Sequence, residues 1–377
     1  MTLRVEIAPA VLQWAIERTG LSLDELANRS QTKAVRQWIA KDANPTLNQA
    51  EDLARLASIP FGYLLLSEPT DDTPAIADFR TKDSQQLSGV SPDLEETLLL
   101  CKSRLSFYRE YSTAQGVPGP DFVGSFSLKH SAAQAVKEVK KWVEWKPGQR
   151  EPNRERVLTL ADAIEKAGVL VMRSSVVGNS TKRKLDVDEF RGFTLIDQKF
   201  ALIFINGSDA KVGQLFSLGH ELGHVLLGEP GVSGDRNLHR KVEQWCNEFA
   251  AELLVQTSEL LRQFKESNDL GVTAKWAYER YGVSKDVVVW ALVDAKAISR
   301  DVATEFLRAG SQPPRVRESS GGSFWNTIRI RLGGRFLDTV TGAAIDGDIS
   351  VREASRQLGI EKTETVLELI SRYEGAA

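Results

Sequence analysis

The chain has 377 residues, of which 42% are hydrophobic, 26% charged and 8% aromatic. That is an ordinary globular composition, and the length suits two or three domains of ~100–200 residues. Forty-eight Lys and Arg stand against 51 Asp and Glu, a formal net charge of −3, so the chain as a whole is not a polycation built to coat nucleic acid; a local basic patch remains open.

Cys101 and Cys246 are the two cysteines. They exclude a disulfide scaffold and a Cys-rich zinc module, and they suit a reducing, cytoplasmic setting. Arg4, Glu6, Glu17 and Arg18 interrupt the N-terminal stretch, which does not read as a signal peptide. No run of ~18 apolar residues is present, so no membrane span is expected.

Residues 8–67 read as five short helices. Val11, Leu12, Ala15 and Ile16 recur at helical spacing, and Ser22 three residues before Glu25 is a capping-box pattern. A third helix is expected over 32–41, with Val35, Trp38 and Ile39 on one side. Asn44-Pro45 ends it, Thr46 caps the fourth, and Pro60 stops that one. Short helices with short turns suit a helix-turn-helix bundle over 1–70. Residues 71–90, rich in Pro, Asp, Ser and Thr, read as a linker, and 91–160 as a helical connector. Short strands are expected at 169–172, 190–197 and 199–206, where β-branched and aromatic residues gather. Helices resume at 210 and continue to about 308. A Pro- and Gly/Ser-rich linker (311–323) precedes a small helical tail, 324–377. The whole reads as an α+β, mostly helical chain whose third large segment, 161–310, holds the chemistry.

That chemistry centres on His220-Glu221-Leu222-Gly223-His224. Histidine is scarce here, at four in the chain. On a helix, positions i and i+4 lie ~40° apart on one face, so two imidazoles can take two corners of a zinc tetrahedron. Glu221 falls ~100° round from His220, beside the pair, where it can accept a proton from a water and return it to a leaving amine. The plainer alternative is a buried helix with two satisfied histidines, which gives the intervening Glu no task.

A third ligand is needed. The position three residues after His224 is Leu227 and the one at six is Pro230, which excludes the metzincin pattern. The helix expected over 241–255 offers Glu243, Glu248 and Glu252. With Glu243 at zero, Cys246, Asn247, Ala250 and Leu254 fall within about 60° of it, while Glu248 and Glu252 fall near 140° and 180°. Glu243 heads a stripe of mostly small residues that lets another helix or a metal approach, and is the expected third ligand; a solvated surface Glu is the alternative. Asn247, one turn on, is placed to hydrogen-bond a ligand, or is an ordinary helix-face Asn. His239, among Arg236, Arg240 and Lys241, reads as a solvated loop residue, with a ligand or transition-state donor as the other option. Cys246 reads as a small core residue.

SLGHELGHVLLG followed by VEQWCNEFAAELL resembles the ImmA/IrrE metallopeptidases, with Cys246 where the family usually has Ala. RGFTLIDQKFALIFING resembles the strand pair that leads into their zinc helix, and YGVSKDVVVWAL a later helical element. The resemblance covers roughly 160–300. It implies a gluzincin-like fold, Zn2+ held by His220, His224 and Glu243, and Glu221 as the catalytic carboxylate. It also implies a regulatory protein as substrate, a repressor or toxin–antitoxin partner, and activity that can depend on a partner.

Trp38, then Pro45-Thr46 and LNQAEDLARLASIP, resemble the Xre-type helix-turn-helix fused to such peptidases. The family often has Glu after the Trp and Gly two residues later; here those are Ile39 and Lys41. Residues 1–70 carry seven Lys/Arg against eight Asp/Glu, so DNA affinity from this segment alone would be weak. Lys33, Arg36, Gln37 and Lys41 are the candidates for phosphate or base-edge contacts; a module kept for protein contacts, including a homodimer, is the alternative. Two functions follow as expectations. One is a zinc endopeptidase recruited by its N-terminal module. The other is a DNA-binding regulator or antitoxin whose peptidase-like half is a partner-binding scaffold. The intact Glu221 favours the first, because structural zinc needs ligands and no base.

Overall fold

The structure is a computed structural model that describes residues 4–19, 21–57, 59, 61–69, 91–148, 152–229, 236–309 and 324–374. The expected linkers, 71–90 and 311–323, lie outside these residues. The chain divides into two compact units, Met1–Ile76 with Gln86–Leu99, and Ala77–Gln85 with Leu100–Ala377. No helix among the described residues is long and apolar enough to cross a membrane.

The first unit contains α1 (Pro9–Arg18), α2 (Leu23–Ala27), α3 (Val35–Ile39), α4 (Leu47–Leu56) and a single 3-10 turn at Phe61–Leu65. Its core gathers Val11, Leu12, Ile16, Leu26, Val35, Trp38, Leu53 and Leu64. The caps are reciprocal. Ser22 Oγ accepts from the Glu25 N–H while Glu25 accepts from the Ser22 N–H, and Thr46 and Gln49 do the same at the start of α4. Each pair satisfies two N–H groups that the first helical turn leaves open.

The third helix is shorter than its sequence pattern suggests. The Thr32 hydroxyl does not cap it; that hydroxyl is fully buried and donates to the Leu26 carbonyl at 2.7 Å. The helix therefore begins at Val35, and Lys41 already lies beyond its end with a left-handed φ of 62°. Val35 and Trp38 are buried, whereas Ile39 is 41% exposed, because one and a half turns present too narrow a face to bury all three.

The helix α5 (Pro92–Ala114) is followed by α6 (Ala132–Val139) and α7 (Asn153–Lys166). The strands β1 (Leu170–Ser174), β2 (Gly192–Asp197) and β3 (Phe200–Asn206) form one mixed sheet in the order β1-β3-β2. β3 is buried along its whole length, pairs parallel with β1 and antiparallel with β2, and sets Thr194 opposite Ile203. Its run of Phe, Leu and Ile without polar alternation is what a strand covered on both faces requires.

The site-bearing helices are α8 (Lys211–Leu227) and α9 (Arg236–Leu254), followed by α10 (Thr257–Ser267), α11 (Leu270–Tyr281), α12 (Lys285–Asp294) and α13 (Arg300–Ala309). α8 ends at Gly228, whose φ of 70° closes the helix with an N–H donated to the His224 carbonyl at 3.0 Å. A Cβ there would come within 2.6 Å of the Gly124 Cα, so both the handedness and the close approach demand glycine. Leu215, Leu218, Leu222, Val225 and Leu226 of α8 enter the core with Ile203 and Ile205 of β3 and Trp245, Phe249 and Leu253 of α9. The result is the α+β, mostly helical fold read from the sequence.

The last segment, α14 (Phe324–Leu332), α15 (Gly334–Ile345), α16 (Val351–Leu358) and α17 (Thr363–Glu374), belongs to the same unit as the sheet. It is anchored by Glu165 at the end of α7. The Glu165 carboxylate accepts from the Gly334 and Arg335 N–H groups at 3.0 Å each, at the positive end of α15. Burial pushes its pKa up to about 7, against the lowering effect of these backbone donors.

Candidate metal centre

The site is built by two helices that come unusually close. Gly219 and Gly223 on α8 face Ala250 and Cys246 on α9. A Cβ at Gly219 would sit 3.4 Å from Ala250, and one at Gly223 would sit 3.1 Å from the Cys246 Sγ. Four small residues at i, i+4 spacing on both partners thus let the backbones meet with nothing larger between them. The consequence falls at the open end of that seam. Glu243, one turn before Cys246 and Asn247, lands opposite His220 and His224.

The donor atoms converge. His220 Nε2 and His224 Nε2 are 3.2 Å apart. Glu243 reaches both, with Oε2 3.3 Å from His220 Nε2 and Oε1 3.3 Å from His224 Nε2. Among the described residues these three are the group whose ligand atoms all lie within 4.8 Å of one another. A tetrahedral ion with bonds of about 2.0–2.1 Å has edges of about 3.3–3.4 Å; the separation between the two imidazole nitrogens, and that from each of them to one of the two Glu243 oxygens, is close to such an edge. Two imidazoles and a carboxylate are also the donor set that a borderline cation such as zinc takes.

The imidazoles are supported unequally. His220 Nδ1–H donates to Asn247 Oδ1 at 2.9 Å, which leaves the Nε2 lone pair facing the cluster. His224 is buried and its Nδ1 has no hydrogen-bond partner among the described residues. Electrostatics follow the geometry. Burial alone lowers the His220 pKa, but hydrogen bonding to Glu243 and the nearby Glu221 and Glu243 charges raise it above its ordinary value. Burial alone raises that of Glu243, and the two histidines more than reverse it, holding the carboxyl well below the usual range. The Cys246 thiol is pushed well up by burial and by the surrounding carboxylates, which keeps it a neutral core group and not a nucleophile.

Glu221 is buried, and its Oε2 accepts a hydrogen bond from the Thr194 hydroxyl at 2.8 Å. Thr194, on β2, is a residue that sequence reasoning missed. Its signal was a lone β-branched polar residue in a strand, which on its own only marks strand propensity. The other carboxylates of α9 face elsewhere, with Glu248 accepting from Gln244 at 2.8 Å and Glu252 from Thr257 at 2.9 Å. The side chain of His239 lies outside the described ones.

In the N-terminal unit, Lys33, Arg36, Gln37 and Lys41 are all exposed, but the helix carries only Arg36 and Gln37, because it spans Val35–Ile39. Lys33 precedes it, Lys41 follows it, and Arg36 is paired with Asp24.

A mixed three-stranded sheet thus stands beside a helix with two histidines, and a second helix delivers a carboxylate to them. In agreement, residues 164–292, from within α7 to within α12, match the family model of the IrrE N-terminal-like domain, Peptidase M78. No curated protein matches the chain.

Proposed function

We propose that the domain at 164–292 is a zinc-dependent endopeptidase, in which His220, His224 and Glu243 hold the ion and Glu221 is the general base. The observation that carries the reading is the convergent His–His–Glu set with an additional buried carboxylate next to it in the chain, since a site kept for structure alone has no use for a base. Bound zinc would polarise the scissile carbonyl and make a water easier to deprotonate. Glu221 takes the proton that the attacking water gives up and passes it to the departing amine nitrogen. Asn247 keeps the His220 imidazole in place and in the right tautomer. The substrate is a regulatory protein, a repressor or a toxin–antitoxin partner, and the N-terminal helical module brings the enzyme to DNA or to that target. Support for this last part is the sequence likeness within residues 1–70 to Xre-type modules and the exposed Lys33, Arg36, Gln37 and Lys41. The two cysteines, both buried and unpaired, suit work in the cytoplasm.

The test is a comparison of new protein N-termini in cell extract treated with the zinc-loaded protein or with its Glu221→Gln variant. Termini produced by the wild type and absent with Glu221→Gln are expected. Identical profiles would contradict the peptidase reading and favour the scaffold.

A further inference from the structure

We infer that Thr194 is the positioning residue for Glu221, holding one carboxylate oxygen so that the other is the oxygen that moves the proton; the inference rests on the peptidase reading of this site. Three observations meet here. Thr194 is 3% exposed, so its hydroxyl depends on a protein partner. That hydroxyl lies 2.8 Å from Glu221 Oε2 and 3.1 Å from the Glu221 carbonyl oxygen, two acceptors on one residue. With one proton to give, it serves the nearer acceptor, Oε2. Gly192, two residues earlier on β2, shares the strand face with Thr194. A Cβ at Gly192 would stand 3.2 Å from both Glu221 Cγ and Oε1, and 3.0 Å from the Phe204 carbonyl oxygen. The strand thus offers Glu221 a hydrogen bond for one oxygen and an absent side chain beside the other.

This division assigns the proton path. Thr194 can give its single hydroxyl proton to Oε2, and no described residue hydrogen-bonds Oε1. In the reaction an O–H bond of the attacking water breaks, its electron pair stays on the water oxygen, and an Oε1–H bond forms. That proton then leaves Oε1 for the nitrogen of the departing amine, which returns the carboxylate to its starting state. Throughout, Oε2 keeps the Thr194 hydrogen bond. A carboxylate free to rotate would sample the productive orientation only part of the time, and misplacement of a reacting group by about 1 Å costs as much as ~100-fold.

The experiment compares full-length, zinc-loaded wild type with Thr194→Val, which keeps the shape and loses the hydroxyl, and Thr194→Ser, which keeps the hydroxyl. The activity probe is the fluorescence-quenched peptide that the wild type cuts fastest from a mixed-sequence set. Thr194→Val is expected to lower kcat by about 10- to 100-fold, with KM within about twofold and zinc content unchanged, and Thr194→Ser to recover most of the loss. The second readout needs no turnover: the infrared carboxylate band of Glu221, identified as the difference between wild type and Glu221→Gln. It is expected to shift in Thr194→Val and to return in Thr194→Ser. A band unmoved by Thr194→Val would overturn the inference, as would an unchanged kcat. If no peptide is cut by wild type while the band still shifts, the positioning contact stands as geometry and the peptidase reading is what fails.

Discussion

To hold a metal as proposed, both histidines would present an unprotonated Nε2, and they are supported unequally. Asn247 fixes the tautomer of His220 by accepting from its Nδ1–H, whereas His224 has no such acceptor among the described residues. Asn247→Ala should therefore weaken zinc binding by about 10- to 100-fold, measured by competition with a chelator of known affinity; unchanged affinity would remove Asn247 from the site.

The same residues set a pH dependence in the metal-free protein. The depressed Glu243 pKa contributes stability above its unfolded value of about 4.3, lost as the pH falls through its folded value. The raised His220 pKa contributes stability below about 6.5, lost as the pH rises through its folded value. The contribution of this cluster should then be largest between about pH 4.5 and 6.5. Zinc must displace imidazole protons, so its stabilising effect should instead grow as the pH rises. Thermal unfolding of chelated and zinc-loaded protein across this range should show the gap between the two widening as the pH rises, and parallel curves would contradict this.

At the scale of elements, the site depends on how close α8 and α9 can come. Gly223→Ala would press a methyl group to 3.1–3.3 Å from Cys246. Backbone here cannot yield freely, so a loss of about 1–3 kcal/mol is expected, together with weaker zinc binding as Glu243 is pushed from the histidines. Urea unfolding and a zinc titration of this variant measure both. An unchanged zinc affinity would show that the seam does not set the position of Glu243.

Much of this was legible in the sequence because it follows from one helix at a time. The His220–His224 pair needs only the 3.6-residue period, and the stripe headed by Glu243 could be seen on α9 alone. Gly219 and Gly223, the matching half of the seam, become informative only once the two helices are paired. Thr194 and Gly192 depend on which strand lies beside Glu221, a question of sheet order that local patterns do not encode. The same limit shortened α3. Its start was decided by a buried hydrogen bond from Thr32 to Leu26, six residues back in the chain. Lys41 takes the left-handed position where the resembling family often has Gly, the residue that adopts it without steric cost.

At the scale of the whole molecule, a near-neutral helical unit and a candidate peptidase unit share one chain. With seven cationic against eight acidic side chains in residues 1–70, and with Arg36 already engaged by Asp24, few phosphates can be neutralised. Binding of the full-length protein to random-sequence duplex DNA, followed by fluorescence anisotropy, should therefore be weak and have a shallow salt dependence, with a log–log slope smaller in magnitude than about 4. A slope near the value of about 10 that extensive phosphate contacts give would contradict this picture.

In the proposed site three named side chains hold zinc and a fourth acts on the water without holding it. The most direct measurement is the zinc content of the purified full-length protein beside Glu243→Ala and Glu221→Gln. About one zinc per chain is expected in the wild type, with its loss in Glu243→Ala and its retention in Glu221→Gln. A wild type that takes up no zinc when zinc is supplied, or a Glu243→Ala variant that holds it as tightly as the wild type, would contradict this.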